Sequence, residues 1–251
     1  MCYDIQAKLE AQLKRAKRMN HKEIIRELET DLEPYLTQWH HVSGFSHPNL
    51  IIYTNESPKL PTIAKWGLIP EWTKNKEQAN KLHNNTINAR GESIFDKPSF
   101  RDSANHKRCL ITIDGFFEHH HRGKKIFPYF IRKKDDEPLN LAGLWSEWLN
   151  KQSGEIERTF SIVTCKANSL LSKIHNNPKL SGPRMPLILN EKSTDLWLDI
   201  NIHKVIINSL IQPSTEELIA HTVKPLRGKH YPGNNPEVSK EFFYDELNEL
   251  F

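Results

Sequence analysis

Apolar residues at three-to-four spacing open the chain: Ile5, Leu9, Leu13, Ala16 and Met19, then Ile24, Ile25, Leu28 and Leu32, with charged residues filling the other face. This spacing predicts helix over 5–32, interrupted near Asn20 and stopped by Pro34. From residue 42 the pattern changes to short apolar and β-branched runs. Leu50-Ile51-Ile52-Tyr53, Ile63 to Pro70, Arg108 to Ile113, Pro128 to Ile131, Leu139 to Trp148 and Thr159 to Thr164 all read as strands. Pro183 to Leu189 reads as a further strand after a proline-rich turn. Residues 73–86 are polar and predict a loop with a short helix. Leu170 and Leu171 open a helix-like turn, Thr194 to Leu198 starts a helix, and Glu216 to Val223 is a short helix or a late strand. Pro225 to Asn235 is loop, and Phe242 to Phe251 an amphipathic turn or helix. Many short strands and few long helices predict an α+β fold. A single domain, residues 2–251, is expected around a curled, barrel-like, mostly antiparallel sheet with peripheral helices and an N-terminal helical elaboration at about 5–40.

Composition narrows the setting. The chain has 251 residues, 37% apolar and 26% charged, enough for one packed core. Its formal charge is +4, a mild basic bias that suits a polyanionic partner without requiring one. The three cysteines, Cys2, Cys109 and Cys165, have no CxxC spacing, which argues against a disulfide framework or a cysteine zinc site and for a reducing compartment. No apolar run approaches the roughly 18 residues of a membrane span, and Lys8, Glu10, Lys14 and Arg15 interrupt any signal-like segment. A cytoplasmic protein is expected.

Candidate chemistry begins at Cys2. Removal of Met1 would leave a free α-amine beside a thiol, and a 1,2-aminothiol condenses with aldehydes to a thiazolidine. The amine's reference pKa of about 8 leaves part of it neutral at physiological pH. Glu118 follows two phenylalanines, so aromatic bulk would desolvate it and raise its pKa toward general-acid use. Asn88 suits a turn or a polar contact, and His175 is ordinary alone. Glu118-His119-His120-His121 invites a metal reading, but consecutive strand residues point to opposite faces, and no metal or other cofactor is expected. Arg90 and Arg101 fit surface charges or phosphate clamps.

Taken together, Met1-Cys2, Trp66-Gly67-Leu68-Ile69-Pro70-Glu71-Trp72, Asn88-Ala89-Arg90-Gly91-Glu92, Arg108-Cys109-Leu110, Asp114-Gly115-Phe116-Phe117-Glu118 and Arg184-Met185-Pro186 occur in an order that resembles the SRAP (SOS response-associated peptidase) family, whose members shield abasic sites in single-stranded DNA. The resemblance runs from residue 2 to about 225. It implies that Cys2 forms the thiazolidine with the ring-opened sugar and that Asn88 orients Cys2. It implies that Glu118 moves protons during ring opening and that His175 acts beside the sugar. It further implies that Arg90 and Arg101 hold phosphates, that Thr164 lies near the lesion, and that Trp66 and Pro70 lie along the DNA groove. The partner is then abasic single-stranded DNA, bound by a monomer that is nucleoid-associated when on DNA.

Three departures stand out. Tyr3 and Asp4 follow the cysteine where the family has Gly-Arg. His119 replaces a tryptophan. Residues 176–183 are inserted between His175 and Arg184-Met185-Pro186. Two other classes compete: an N-terminal-nucleophile cysteine peptidase or amidohydrolase, and a non-covalent single-stranded DNA binder.

Overall fold

Ile5 belongs to a strand, not to the start of a helix. The computed structural model describes residues 2–32 and 37–247; the helix stop expected at Pro34 and the end of the expected C-terminal helix lie outside them. β1 (Asp4–Ala7) inserts antiparallel between β7 (Gly115–Arg122) and β2 (Trp39–Ser43), pairing Ile5 with both Phe116 and Val42. Asp4, Ile5 and Gln6 are all buried, so pairing on both sides overrides the helical spacing. The expected helix then breaks in two, as its polar interruption requires. α1 (Leu9–Arg18) and α2 (Lys22–Arg26) flank Asn20, which takes a positive φ of 53°. α1 lies on β6 (Arg108–Ile113): Gln12 Nε2 donates to Thr112 O at 2.7 Å.

The remaining strands are β3 (Asn49–Thr54), β4 (Thr62–Trp66), β5 (Asn88–Arg90), β8 (Lys125–Lys133), β9 (Leu139–Leu149), β10 (Ile156–Lys166), β11 (Arg184–Pro186), β12 (Ile188–Leu189) and β13 (Leu218–Thr222). One sheet runs β13-β8-β7-β1-β2. The other follows β11-β10-β4-β3-β6-β9-β12, and because β9 also pairs with β10, the strands β10-β4-β3-β6-β9 close into a barrel. All its pairings are antiparallel except β10 with β4. A buried apolar cluster spans Cys2 to Leu247, with Trp66, Trp145, Phe160 and Trp197 as its bulk.

The expected strands fall where the patterns put them, with local corrections. The run Ile63 to Pro70 stops as strand at Trp66, because Gly67 turns the chain with φ +114° and a side chain there would meet His83 at 2.4 Å. Pro183 to Leu189 divides into β11 on β10 and β12 on β9. Glu216 to Val223 contains β13, not a helix. β2 and α4 (Arg101–His106) have too few apolar residues in register to stand out in the sequence, and α7 (Lys204–Leu210) is apolar but too short to show a helical period, its Val205-Ile206-Ile207 run being β-branched. The polar stretch 73–86 holds α3 (Lys76–His83), capped by Asn75. α5 (Ser169–Ile174) and α6 (Glu191–Leu198) occupy the helical positions expected near 170 and 194. Among the described residues no helix is long and apolar enough to cross a membrane.

Candidate active site

The N-terminal strand carries Cys2 to the junction of the two sheets. β1 pairs Asp4 with Phe117, which brings the chain's start alongside Glu118 on β7. The Asp114–Gly115 corner anchors this strand from the other end. Lys8 N donates to Asp114 Oδ2 at 2.8 Å, and Asp114 N donates to Gln6 O at 3.0 Å. Gly115 is required there, since a Cβ would sit 2.6 Å from the carbonyl oxygen of Ile131. β5 approaches from the second sheet, and Asn88 Nδ2 donates to Cys2 O at 2.9 Å. Asn88 therefore holds the backbone at Cys2, while among the described residues its own buried Oδ1 has no partner.

Electrostatics distinguish the groups. Cys2 is fully buried, and burial together with the Glu118 charge holds its thiol well above the ordinary range. Burial also pushes Glu118 up to about 7. Its Oε1 accepts from the His119 amide at 3.0 Å, and its Oε2 lies 4.0 Å from His175 Nε2. Burial lowers His175 to about 4, so its ring is neutral at physiological pH. The Arg184 amide donates to His175 Nδ1 at 2.9 Å. The ring proton must then reside on Nε2, the nitrogen facing Glu118. The insertion 176–183 does not break this arrangement: it leaves after α5 and returns in time for Arg184 to meet His175.

Arg184 is itself fixed. Its guanidinium donates to both Glu92 carboxylate oxygens at 3.1 and 2.8 Å and to Thr164 O at 2.9 Å. Thr164 is completely buried on β10, beside Arg90 in the β5 pairing. Thr164 is therefore joined to His175 through Arg184.

A profile of the SOS response associated peptidase (SRAP) family matches residues 4–229. The chain belongs to this family. The abasic site processing protein YoqW of Bacillus subtilis is 35% identical over 178 residues, 69% of this chain and 73% of that protein. The chicken abasic site processing protein HMCES is 31% identical over 165 residues, 58% of this chain and 47% of that protein. A crystal structure of a Bacteroides thetaiotaomicron protein superposes with a TM-score of 0.82 at 32% identity, covering 96% of this chain and 100% of the other. A Bordetella bronchiseptica structure, at 21% identity and a TM-score of 0.68 over 89% of this chain and 100% of that one, shares the fold.

For this SRAP chain, the structure brings Cys2, Asn88, Glu118 and His175 together. Arg90 is exposed at the end of β5, close enough for its charge to act on Tyr3. Arg101 begins α4 on the surface, 3.7 Å from Asp102, and among the described residues no hydrogen bond or ion pair joins it to this group. The groove positions expected of Trp66 and Pro70 need correction. Both are buried, and Trp66 Nε1 donates to Ile87 O at 2.9 Å, so neither offers a face to a strand of DNA. The exposed tryptophan of that motif is Trp72, 42% accessible.

The residues that depart from the family pattern form a cavity of about 480 Å³ opening beside Glu118 and His175, lined by Tyr3, Asp4 and His119 among others. Asp4 is not exposed; its Oδ1 accepts from His41 Nε2 at 3.1 Å, and His41 Nδ1 meets the Tyr231 hydroxyl at 2.8 Å. Neither His41 nor Arg227, which also reaches Asp4, carries a local sequence signal, since both partners are remote along the chain.

Proposed function

We propose that this protein processes abasic sites in single-stranded DNA by forming a covalent thiazolidine through Cys2 once Met1 has been removed, protecting the lesion during the DNA damage response. The observation that carries the reading is the convergence of Asn88 and Glu118 on the chain's second residue, with His175 4.0 Å from Glu118. The names of the relatives, abasic site processing proteins, support the same substrate.

The chemistry follows from the protonation states. An abasic sugar rests mostly as a cyclic hemiacetal. Glu118, poised near 7, takes the proton of the C1′ hydroxyl and hands it to the ring oxygen as the C1′–O bond breaks, giving the open aldehyde and leaving the carboxylate as it began. His175 Nε2–H faces the same space and hydrogen-bonds the developing hydroxyl. The neutral Cys2 amine adds to C1′, and the carbinolamine loses water to give an imine. The thiol, kept protonated by burial, acts last: sulfur adds to C1′ and its proton goes to the imine nitrogen, closing the ring. The balance is one aldehyde plus one aminothiol giving one thiazolidine and one water. Asn88 holds the Cys2 carbonyl without adding a charge that would shift the amine's proton equilibrium.

A buried, protonated thiol is poorly suited to attack an amide directly, which disfavours the peptidase alternative. Incubating Met1-trimmed protein with an oligonucleotide carrying one abasic site, followed by a denaturing gel, tests the proposal. A shifted band that disappears in Cys2→Ala supports it. No band, or the same band in Cys2→Ala, refutes it.

A further inference from the structure

The cavity beside the Glu118–His175 pair has two kinds of wall. One is apolar: Ile126, Pro128, Leu180 and Leu226. Ile126 is 53% exposed, although its strand neighbour Phe127 is buried. The other wall is Arg227. Its Nη2 stands 3.4 and 3.5 Å from the two Asp4 carboxylate oxygens, and its side chain is 66% exposed, so most of its donors remain open.

Asp4 is a fixed support for that arginine. Burial pushes its carboxyl up, but the His41 hydrogen bond and the His41 and Arg227 charges outweigh this and keep it ionised. The inserted segment 176–183 is equally tied down. His121 N donates to Asn176 Oδ1 at 2.7 Å, and Asn176 Nδ2 donates back to His121 O at 2.9 Å. This clasp sets Asn177 and Leu180 on the rim of the cavity.

From this juxtaposition we infer that the cavity is a subsite for one nucleotide flanking the lesion, with Arg227 holding its phosphate and the apolar wall of Ile126, Leu180 and Leu226 receiving its base. The inference rests on the proposed abasic-site reading and adds a recognition element to it. A planar base needs an apolar face and tolerates any sequence, whereas a phosphate needs a forked donor; the cavity supplies one of each within reach of the reacting pair. Its volume lies within the range of ordinary ligand pockets, which is about 300–1,000 Å³.

Fluorescence anisotropy with oligonucleotides carrying a tetrahydrofuran abasic analogue tests this without crosslinking, because the analogue has no hemiacetal to open. Three oligonucleotides serve: one extended on both sides of the analogue, one ending at it on the 5′ side, one ending at it on the 3′ side. Arg227→Ala is expected to weaken binding about tenfold to the doubly extended strand and to one truncated strand. The other truncated strand, which lacks the flank that fills the cavity, is expected to bind both proteins alike. Arg227→Lys keeps the charge but not the fork and is expected to recover only part of the loss. Equal weakening for all three strands, reflecting general charge attraction, would overturn the inference, as would no weakening at all. Since binding is read without covalent chemistry, loss of the crosslink in the gel assay and loss of this flank dependence are separate results.

Discussion

His175 Nε2 lies 4.0 Å from Glu118 Oε2, and the Arg184 amide, 2.9 Å from His175 Nδ1, dictates that Nε2 carries the proton. A neutral histidine that can only donate toward a carboxyl poised near 7 forms an asymmetric proton-handling pair.

Under the proposed mechanism Glu118→Gln removes the group that gives and takes protons while keeping its size. Crosslinking at saturating DNA is expected to slow by about a hundredfold or more, with oligonucleotide affinity changed less than about threefold. Single-turnover rates and anisotropy titrations measure the two separately. The wild-type rate is expected to climb as pH rises through about 7, and the Gln variant to lose that inflection. Equal saturating rates for the two proteins would remove Glu118 from the mechanism.

The same carboxyl is a stability cost. Its folded pKa, about 7, lies above the unfolded value of about 4.3, so the folded state binds the extra proton between them and stability falls as pH rises through that window. Below about pH 4 the penalty is absent; above about pH 7 it is complete, on the order of 4 kcal/mol at about 1.36 kcal/mol per unit. Glu118→Gln is therefore expected to be more stable than wild type in urea at pH 8 and similar to it near pH 4.5. A variant less stable at pH 8 would contradict the burial argument.

Much of this was readable from residue patterns, and the failures have physical causes. β3, β6, β9 and β10 lie under apolar, β-branched runs because barrel strands buried on one or both faces need them. Ile5 was misleading because its spacing to Leu9 is helical, and only pairing with Phe116 and Val42, distant in sequence, makes it a strand. Cys2, Asn88, Glu118 and His175 could be nominated by order and chemistry. Trp66 and Pro70 share a motif with the exposed Trp72, but no local pattern distinguishes the tryptophan that fills the barrel from the one at the surface. The Asp4–His41–Tyr231 chain and Arg227 are assembled only by folding.

Asn88→Ala deletes the 2.9 Å hydrogen bond to Cys2 O. A loss of about 1 kcal/mol in stability is expected, the usual worth of one such bond. Misplacing the amine is expected to slow crosslinking by at least tenfold. Urea denaturation and single-turnover kinetics give the two numbers; an unchanged rate would mean that Asn88 does not position the nucleophile.

Arg108 is fully buried and donates to the carbonyls of Trp197, Ala104, Asn105 and Asp199, clamping α4 and α6 to β6. Arg108→Met strands four acceptors, and about 3 kcal/mol or more of stability is expected to go, measured by chemical denaturation. The folded fraction should still crosslink at the wild-type rate. A change below about 1 kcal/mol would show that the clamp contributes little.

The most direct test of the central claim is the intact mass of the Met1-trimmed protein after reaction with an abasic oligonucleotide, without added reductant. The predicted adduct weighs protein plus oligonucleotide minus one water, maps to the peptide beginning at Cys2, and is missing in Cys2→Ala. An adduct at any other residue, or one of the same stability in Cys2→Ala, would contradict covalent capture by the N-terminal aminothiol.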